Sequence, residues 1–278
     1  MSRSAILYFN EEKAAQKMNL IDIAKEAALE AGELLKEGFG THFQIEHKDG
    51  IQNLVTEYDL SSQNLIIKKI KSRFPSHQFL AEEDGLKAPP SDQILWIIDP
   101  LDGTVNYAHN IPFFAISIAA ARGKEILASV VYSPMMNELY AAEKGSGAYL
   151  KGKRLSVSSA HTFERAMLGT GFPYDVDQNP LHCIERFAQI ALLGAPIRRL
   201  GVASLDLAYL ASGRFDAFWE VGLQPWDMAG GKLLIEEAGG KVTLYDGRPH
   251  PIYEYLPLLA SNGHLHEIMV SYLKGDLK

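Results

Sequence analysis

Between Leu20 and Phe39, apolar residues return every three or four positions, at Ile21, Ala24, Ala28, Ala31, Leu34 and Leu35, and Gly38 and Gly40 close the run. That spacing predicts an amphipathic helix. A second helix is expected from Leu60 to Phe74, stopped by Pro75 and opened by Asp59 of "TEYDLSSQ" as its N-cap. The rhythm then changes. Ile94–Ile98, Phe114–Ala121, Ile126–Tyr132 and Glu138–Glu143 read as strands, separated by short breaks such as "ARGKEI" and "SPMMNEL". Strands so closely spaced form an antiparallel meander, which needs no crossover helices. After Ser156, short apolar stretches ("AMLGTGF", "PIRRLG", "RFDAFWE", "GGKVTLYDG", "LPLLASN") alternate with helix-like ones at Leu181–Leu193, Ser204–Ala211, Asp227–Glu237 and His264–Leu273. Alternation of this kind favours an α/β layer. The expected organisation is an N-terminal extension over residues 1–18, an α+β half over 19–155 and an α/β half over 156–278. No Pro/Gly/Ser-rich linker divides the halves, so they are expected to pack together.

Composition narrows the function classes. The chain has 278 residues, 47% of them hydrophobic, and a formal charge of −7. Without a long basic run, a broad nucleic-acid or anionic-membrane surface is not expected. No apolar run reaches the roughly 20 residues that span a bilayer. The first residues lack a convincing signal peptide. A single cysteine, Cys183, excludes an intramolecular disulfide framework and reads as a buried small side chain in a cytoplasmic protein. Phosphate-loop, GxSxG and HExxH motifs are absent. "KGSGAYLKGKRL" reads as a basic hairpin, and His264-Leu265-His266-Glu267 as exposed surface at the start of the last helix.

The acids change the picture. Carboxylates gather beside apolar segments in three places: Glu82-Glu83-Asp84 after "HQFLA", Asp99 and Asp102 at the end of "ILWIIDPLDG", and Asp227 in "PWDMAGGKLLIEEAGG". Alone, each has a plain explanation: a solvated loop, a turn, a helix cap. As a set they do not. Two carboxylates about 4 Å apart repel by ~4 kcal/mol at an effective dielectric near 20. A cluster at the end of a buried strand must share a proton or hold a cation. Oxygen-only donors point to a hard cation, magnesium first, then manganese or calcium. Whether the three places converge is a question for the fold.

Two long patterns then carry a resemblance. "WIIDPLDGTVNY" resembles the first signature of the inositol monophosphatase family, and "WDMAGGKLLIEEAGG" resembles its second. "NLVTEYD", "FLAEED", "GSGAYLKGKRLSVS" and "GVASLDLAYLASGRFDAFWE" fit the landmarks between them, so the likeness covers nearly all of the chain after residue 20. The resemblance implies a layered α-β-α-β-α sandwich, a homodimer, and magnesium-dependent, lithium-inhibited hydrolysis of phosphate monoesters, with two or three Mg2+ per site and Mn2+ as a substitute. By matching position, Glu82, Asp99 and the Leu101 carbonyl would hold a first metal, and Asp99, Asp102 and Asp227 a second. Thr104, with Asp59 or Glu82, would orient and deprotonate the attacking water. Gly103 and Thr104 would offer N–H groups to phosphate. Glu220, Gly201, Val202 and Ala203 would meet ring hydroxyls, with Asp102 and Asp227 beside them. Val202 departs from the threonine of some members and Ser204 from a common alanine, which weakens the case for inositol relative to the chemistry. Glu220 could instead pair with Arg198 or Arg199, and Lys48 would lie near the metals or on the surface. The expected activity is inositol-1-phosphate hydrolysis. Alternatives on the same fold are fructose-1,6-bisphosphatase, histidinol-phosphatase or 3′(2′),5′-bisphosphate nucleotidase activity, or a non-enzymatic interaction protein.

Overall fold

The computed structural model describes residues 19–42, 45–47, 54–85 and 92–275, with residues 45–47 described by backbone alone. The N-terminal extension and Lys48 lie outside the described residues. Helix α1 (Leu20–Gly38) is capped by Asn19, whose Oδ1 accepts the Leu20 N–H at 2.8 Å. A two-stranded ribbon, β1 (Ile45–His47) and β2 (Leu54–Thr56), leads into α2 (Glu57–Arg73). Here the expected N-cap is corrected: α2 begins at Glu57, Thr56 is its cap, and Asp59 is already inside the first turn. The Asp59 Oδ2 accepts from the Thr56 N–H (2.7 Å) and hydroxyl, while the Thr56 Oγ1 accepts the Tyr58 N–H (3.2 Å). This reciprocal capping satisfies donors that a cap at Asp59 would have left open.

Seven strands form the larger sheet in chain order: β3 (Gln78–Ala81), β4 (Ile94–Asp102), β5 (Ala115–Arg122), β6 (Glu125–Ser133), β7 (Glu138–Glu143), β8 (Gly147–Leu150) and β9 (Lys153–Arg154). The strands from β4 to β9 are the antiparallel meander, and its last hairpin holds the basic "KGKR" turn. Only β3 runs parallel to its neighbour, with Ala81 opposite Ile98. Strand β4 is longer than its apolar run suggested. It continues through Asp99 to Asp102, and a bulge absorbs Pro100, because Asp99 pairs with Ser117 but Asp102 with Ala115. A bulge is where a strand tolerates a residue without an N–H.

Beyond β4 comes the short α3 (Thr104–Ala108). The smaller sheet has the order β11 (Ile197–Arg198), β10 (Leu168–Thr170), β12 (Ala217–Leu223), β14 (Leu256–Ser261), β13 (Lys241–Thr243). Four helices accompany it: α4 (Cys183–Ala191), α5 (Ala203–Ala211), α6 (Pro225–Glu237) and α7 (His266–Leu273). Side-chain alternation along the strands builds the layers. Trp96 and Ile98 of β4 pack with Ile23 and Leu35 of α1 and Ile66 and Ile70 of α2. Leu95 and Ile97 face the other way, into a core shared with Leu205 of α5, Met228 and Leu234 of α6, and Phe218 of β12. Trp219 and Val221 of β12 face outward onto Ile190 of α4 and Met269 of α7. The result is the expected α-β-α-β-α sandwich, and the same alternation turns Asp99 toward the central helix layer.

Two helix starts move. Leu181 and His182 have φ of 49° and 53°, so α4 begins only at Cys183. L-residues in that left-handed region cannot continue an α-helix. Helix α7 starts at His266, which is 2% exposed and bonded to Ser261 Oγ (2.8 Å) and Thr243 Oγ1 (3.0 Å). That corrects the expectation of an exposed "HLHE": His266 is a partnered core histidine, and burial pushes its pKa down. Among the described residues, no helix is long and apolar enough to cross a membrane.

Helix α6 is held close on two sides. A Cβ at Gly231 would stand 2.3 Å from the Leu207 Cβ of α5, and one at Gly230 would stand 2.5 Å from the Ser117 Oγ of β5. Gly231→Val should therefore destabilise the fold by ~1–3 kcal/mol through overpacking. Calorimetry should record a Tm lowered by roughly 3–10 °C. An unchanged Tm would show that the α5–α6 contact yields freely.

Candidate active site

A cavity of about 560 Å³ opens where β3, β4, β10 and β12 end and where α3, α5 and α6 begin. Topology explains the gathering of acids. Since Ala81 pairs with Ile98 in parallel register, the next residues, Glu82 and Asp99, come to the same end of the sheet. The bulge carries β4 on to Asp102. Asp227 lies in the first turn of α6, with its Oδ2 accepting the Gln224 N–H at 2.7 Å. Glu82, Asp99, Leu101, Asp102, Gly103 and Thr104 line the cavity from the larger sheet's side, and Gly201, Val202, Ala203, Glu220 and Asp227 from the other. Asp59 is absent from the lining. It is fully buried behind Thr104, whose hydroxyl lies 2.9 Å from Asp59 Oδ1 and 3.0 Å from the Leu101 carbonyl.

Burial sets the electrostatics, and like charge adds to it. Burial raises the Asp99 carboxyl well above its ordinary range, and Glu82, Asp102 and Asp227 raise it further. Asp227 is raised in the same way, first by burial and then by Asp102 and Glu82. Burial lifts Asp102 to about 6 even though the Ser204 N–H donates to its Oδ2 at 2.7 Å. Burial likewise lifts Asp59 to about 6 against its Thr56 and Thr104 hydrogen bonds. Three carboxylates in the cavity thus have one oxygen tied to a backbone amide, Asp99 by the Leu101 N–H at 3.1 Å. Among the described residues, no three His, Cys, Asp or Glu side chains are already drawn into a ligand shell. The donor set, carboxylates plus the Leu101 carbonyl with no thiolate or imidazole in the lining, fits a hard divalent cation.

The opposite wall carries a further buried carboxyl, Glu220. Burial, then Asp102, raises Glu220 to about 8, and Arg199 offsets part of this. A Cβ on Gly171 would lie 2.1 Å from Glu220 Oε2, so the missing side chain is what makes room for this carboxyl. Asn106 Nδ2 lies 2.9 Å from both the Phe113 and Leu200 carbonyls, which brings the 201–203 segment alongside Gly103 and Thr104.

Sequence reasoning missed Gly171, Asn106 and above all Asp206. Asp206 lines the cavity, is 1% exposed, and its Oδ1 has no hydrogen-bond partner among the described residues. Its place in the first turn of α5 gains ~0.3–1 kcal/mol from the helix dipole. An unsatisfied buried acceptor costs about 1–3 kcal/mol. The position is a net expense to the fold. The signal was present in "GVASLDLAYLA", where one acid interrupts an otherwise apolar helix.

The raised Asp102 pKa has a consequence for stability. Its penalty is absent below the unfolded value of 3.8 and complete above the folded value of about 6, so the metal-free protein loses stability across that window as pH rises. Asp102→Asn should raise the Tm of the metal-free protein at pH 8, by at most about 3 kcal/mol of stability. The advantage should vanish near pH 4. A pH-independent difference between the two proteins would contradict the burial penalty described here.

Residues 16–276 match the Inositol monophosphatase family. An inositol-1-monophosphatase of Caulobacter vibrioides is 40% identical over 254 residues, 90% of this chain and 99% of that protein. The Nus factor SuhB of Pseudomonas aeruginosa is 39% identical over 264 residues, 93% of this chain and 97% of that protein. The solved structure of an inositol monophosphatase from Anabaena superposes with a TM-score of 0.79 at 38% identity, covering 91% of this chain and 94% of the other. The layers, the cavity's position and these likenesses agree, and the chain belongs to the inositol monophosphatase family.

Proposed function

We propose that the protein hydrolyses phosphate monoesters of small polyols, inositol 1-phosphate foremost, with magnesium as its cation. The carrying observation is the convergence of Glu82, Asp99, Asp102 and Asp227 on one cavity, beside a Thr104 hydroxyl backed by the buried Asp59. Glu82, Asp99 and the Leu101 carbonyl would hold one ion, and Asp99, Asp102 and Asp227 another, with Asp99 shared. When bound, the ions supply charge neutralisation at the phosphoryl oxygens and a water of lowered pKa.

The chain's own groups have separable tasks. Asp59 is the stronger acceptor for the single Thr104 hydroxyl proton, which leaves the Leu101 carbonyl oxygen for a cation. Thr104 Oγ1, fixed by that donation, turns a lone pair toward the cavity and can take a hydrogen bond from water, so the Thr104–Asp59 pair orients a nucleophile and draws its proton away. The Gly103 and Thr104 N–H groups, at the start of α3, face phosphate oxygens. Gly103 has φ of 93°, and a Cβ there would also stand 2.8 Å from Val202 Cγ2, so glycine is required at this turn. On the far wall Glu220 and the Gly201–Ala203 backbone meet hydroxyls of the leaving alcohol.

Phosphate release should be measured on inositol 1-phosphate, fructose 1,6-bisphosphate, histidinol phosphate and 3′-phosphoadenosine 5′-phosphate, with magnesium and with or without lithium. The expected result is fastest turnover of inositol 1-phosphate and inhibition by lithium. Preference for another ester would keep the chemistry and replace the substrate, whereas silence across the panel would leave a binding protein. Asp99→Asn should fold and lose ~10³-fold or more in kcat, since the shared ligand is gone. Near-normal turnover of the folded variant in a magnesium titration would refute the ligand assignment. Gly171→Ala should raise KM for inositol 1-phosphate roughly tenfold by displacing the Glu220 carboxyl. A change confined to kcat would put Glu220 elsewhere in the reaction.

A further inference from the structure

Asp206 is the one acid of α5, and the helix spends it on the cavity. Ala203 and Asp206, one turn apart, line the cavity, whereas Leu205, Leu207 and Ala208 go into the central core. Neither role that the fold itself offers accounts for the placement. As a helix-dipole residue Asp206 would be as effective exposed. As a counter-charge it is misplaced, because the charges that act on it most strongly are two further acids, Glu220 and Asp102, ahead of Arg199. What remains is a carboxyl on a residue that lines the cavity, with its buried Oδ1 lacking a donor. A buried acceptor of this kind is satisfied by a donor brought in from outside.

We infer that Asp206 is a specificity-determining residue that, together with Glu220, takes hydrogen bonds from hydroxyl groups of the leaving alcohol. The inference rests on the phosphatase reading of the cavity and deepens it. Two neighbouring carboxyls at this end select a neutral, hydroxyl-rich leaving group. They disfavour a second phosphate or carboxylate that would have to sit against them, because the acceptors would face an anion that donates nothing. Discrimination of this sort is strong where a site is built to pair with a hydroxyl, since an analogue lacking the hydroxyl leaves a buried polar group unpaired.

The test compares inositol 1-phosphate with p-nitrophenyl phosphate, whose leaving group offers no hydroxyl donors in its ester, in the full-length protein with magnesium. In Asp206→Asn, kcat/KM for inositol 1-phosphate should fall at least about tenfold further than kcat/KM for the aryl ester, with the difference residing in KM. Among monodeoxy inositol phosphates, one should be a poor substrate of the wild type and suffer no further loss in the variant. Equal losses on both esters, or no loss on either, would overturn the inference. If the wild type releases phosphate from neither ester, the phosphatase reading falls and takes this inference with it. If the wild type is active and the variant treats the two esters alike, only the role of Asp206 falls. Circular dichroism establishes folding, and Asp206→Ser, which keeps a small polar group, replaces the first variant should it not fold.

Discussion

Mutual repulsion among carboxylates at the ends of buried strands is the constraint to which the rest of this structure answers. Asp99 is 2% exposed and shares its cavity with Glu82, Asp102 and Asp227. Nothing in such an arrangement favours folding by itself; the surrounding scaffold must hold it in place. It does so with backbone. The Leu101, Ser204 and Gln224 amides each donate to one of the aspartates. The N-termini of α5 and α6 add their partial positive charge at the same place. Amides stabilise the charged carboxylate without neutralising it, so the acids stay available to a cation and cannot simply collapse onto a lysine or arginine.

Placement by backbone requires rigid backbone. The bulge in β4 is fastened from behind, where the Ser62 hydroxyl of α2 donates to the Pro100 carbonyl at 2.8 Å. Tyr107 of α3 reaches across to donate to the Leu35 carbonyl of α1 at 2.8 Å. Helix α6, which carries Asp227, is fixed by glycine contacts with α5 and β5 that leave no room for a methyl group. Each tether holds a segment beside the cavity against the packed layers. The acids are therefore positioned by the packing of the whole sandwich, not by the local loops in which they sit.

This is also why sequence reading reached some of the molecule and not the rest. Periodicity exposes whatever packs against a continuous apolar face. The α1 stripe and the alternation of β4, β5 and β6 were accordingly legible, and with them the layers. The acids of "DPLDG" and "PWD" were legible because charge beside an apolar run is conspicuous, and family likeness supplied their grouping. Features that depend on a partner distant in the chain left no such trace. Gly171 has meaning only once Glu220, on another strand, needs its space. Asp206 reads as one polar residue in a helix until its surroundings are known to be acids and cavity. The start of α2 was misread because Thr56 and Asp59 are both good capping residues, and only the reciprocal bonds decide between them.

The cavity's two walls come from different parts of the fold, and this bears on how its substrate is chosen. Glu82, Asp99, Asp102 and Thr104 stand on or directly after β3 and β4 and are placed by parallel register, bulge and hydrogen bonds. A change to any of them disturbs the others. Gly171, Glu220 and Asp206 come from β10, β12 and α5, and meet only through the space between them. Such a wall can alter one residue at a time while the opposite wall keeps its charge arrangement. Relatives about equally identical to this chain bear different names, inositol-1-monophosphatase and Nus factor SuhB. On the proposed reading, the second wall is where substrate preference has the freedom to change without dismantling the acids opposite.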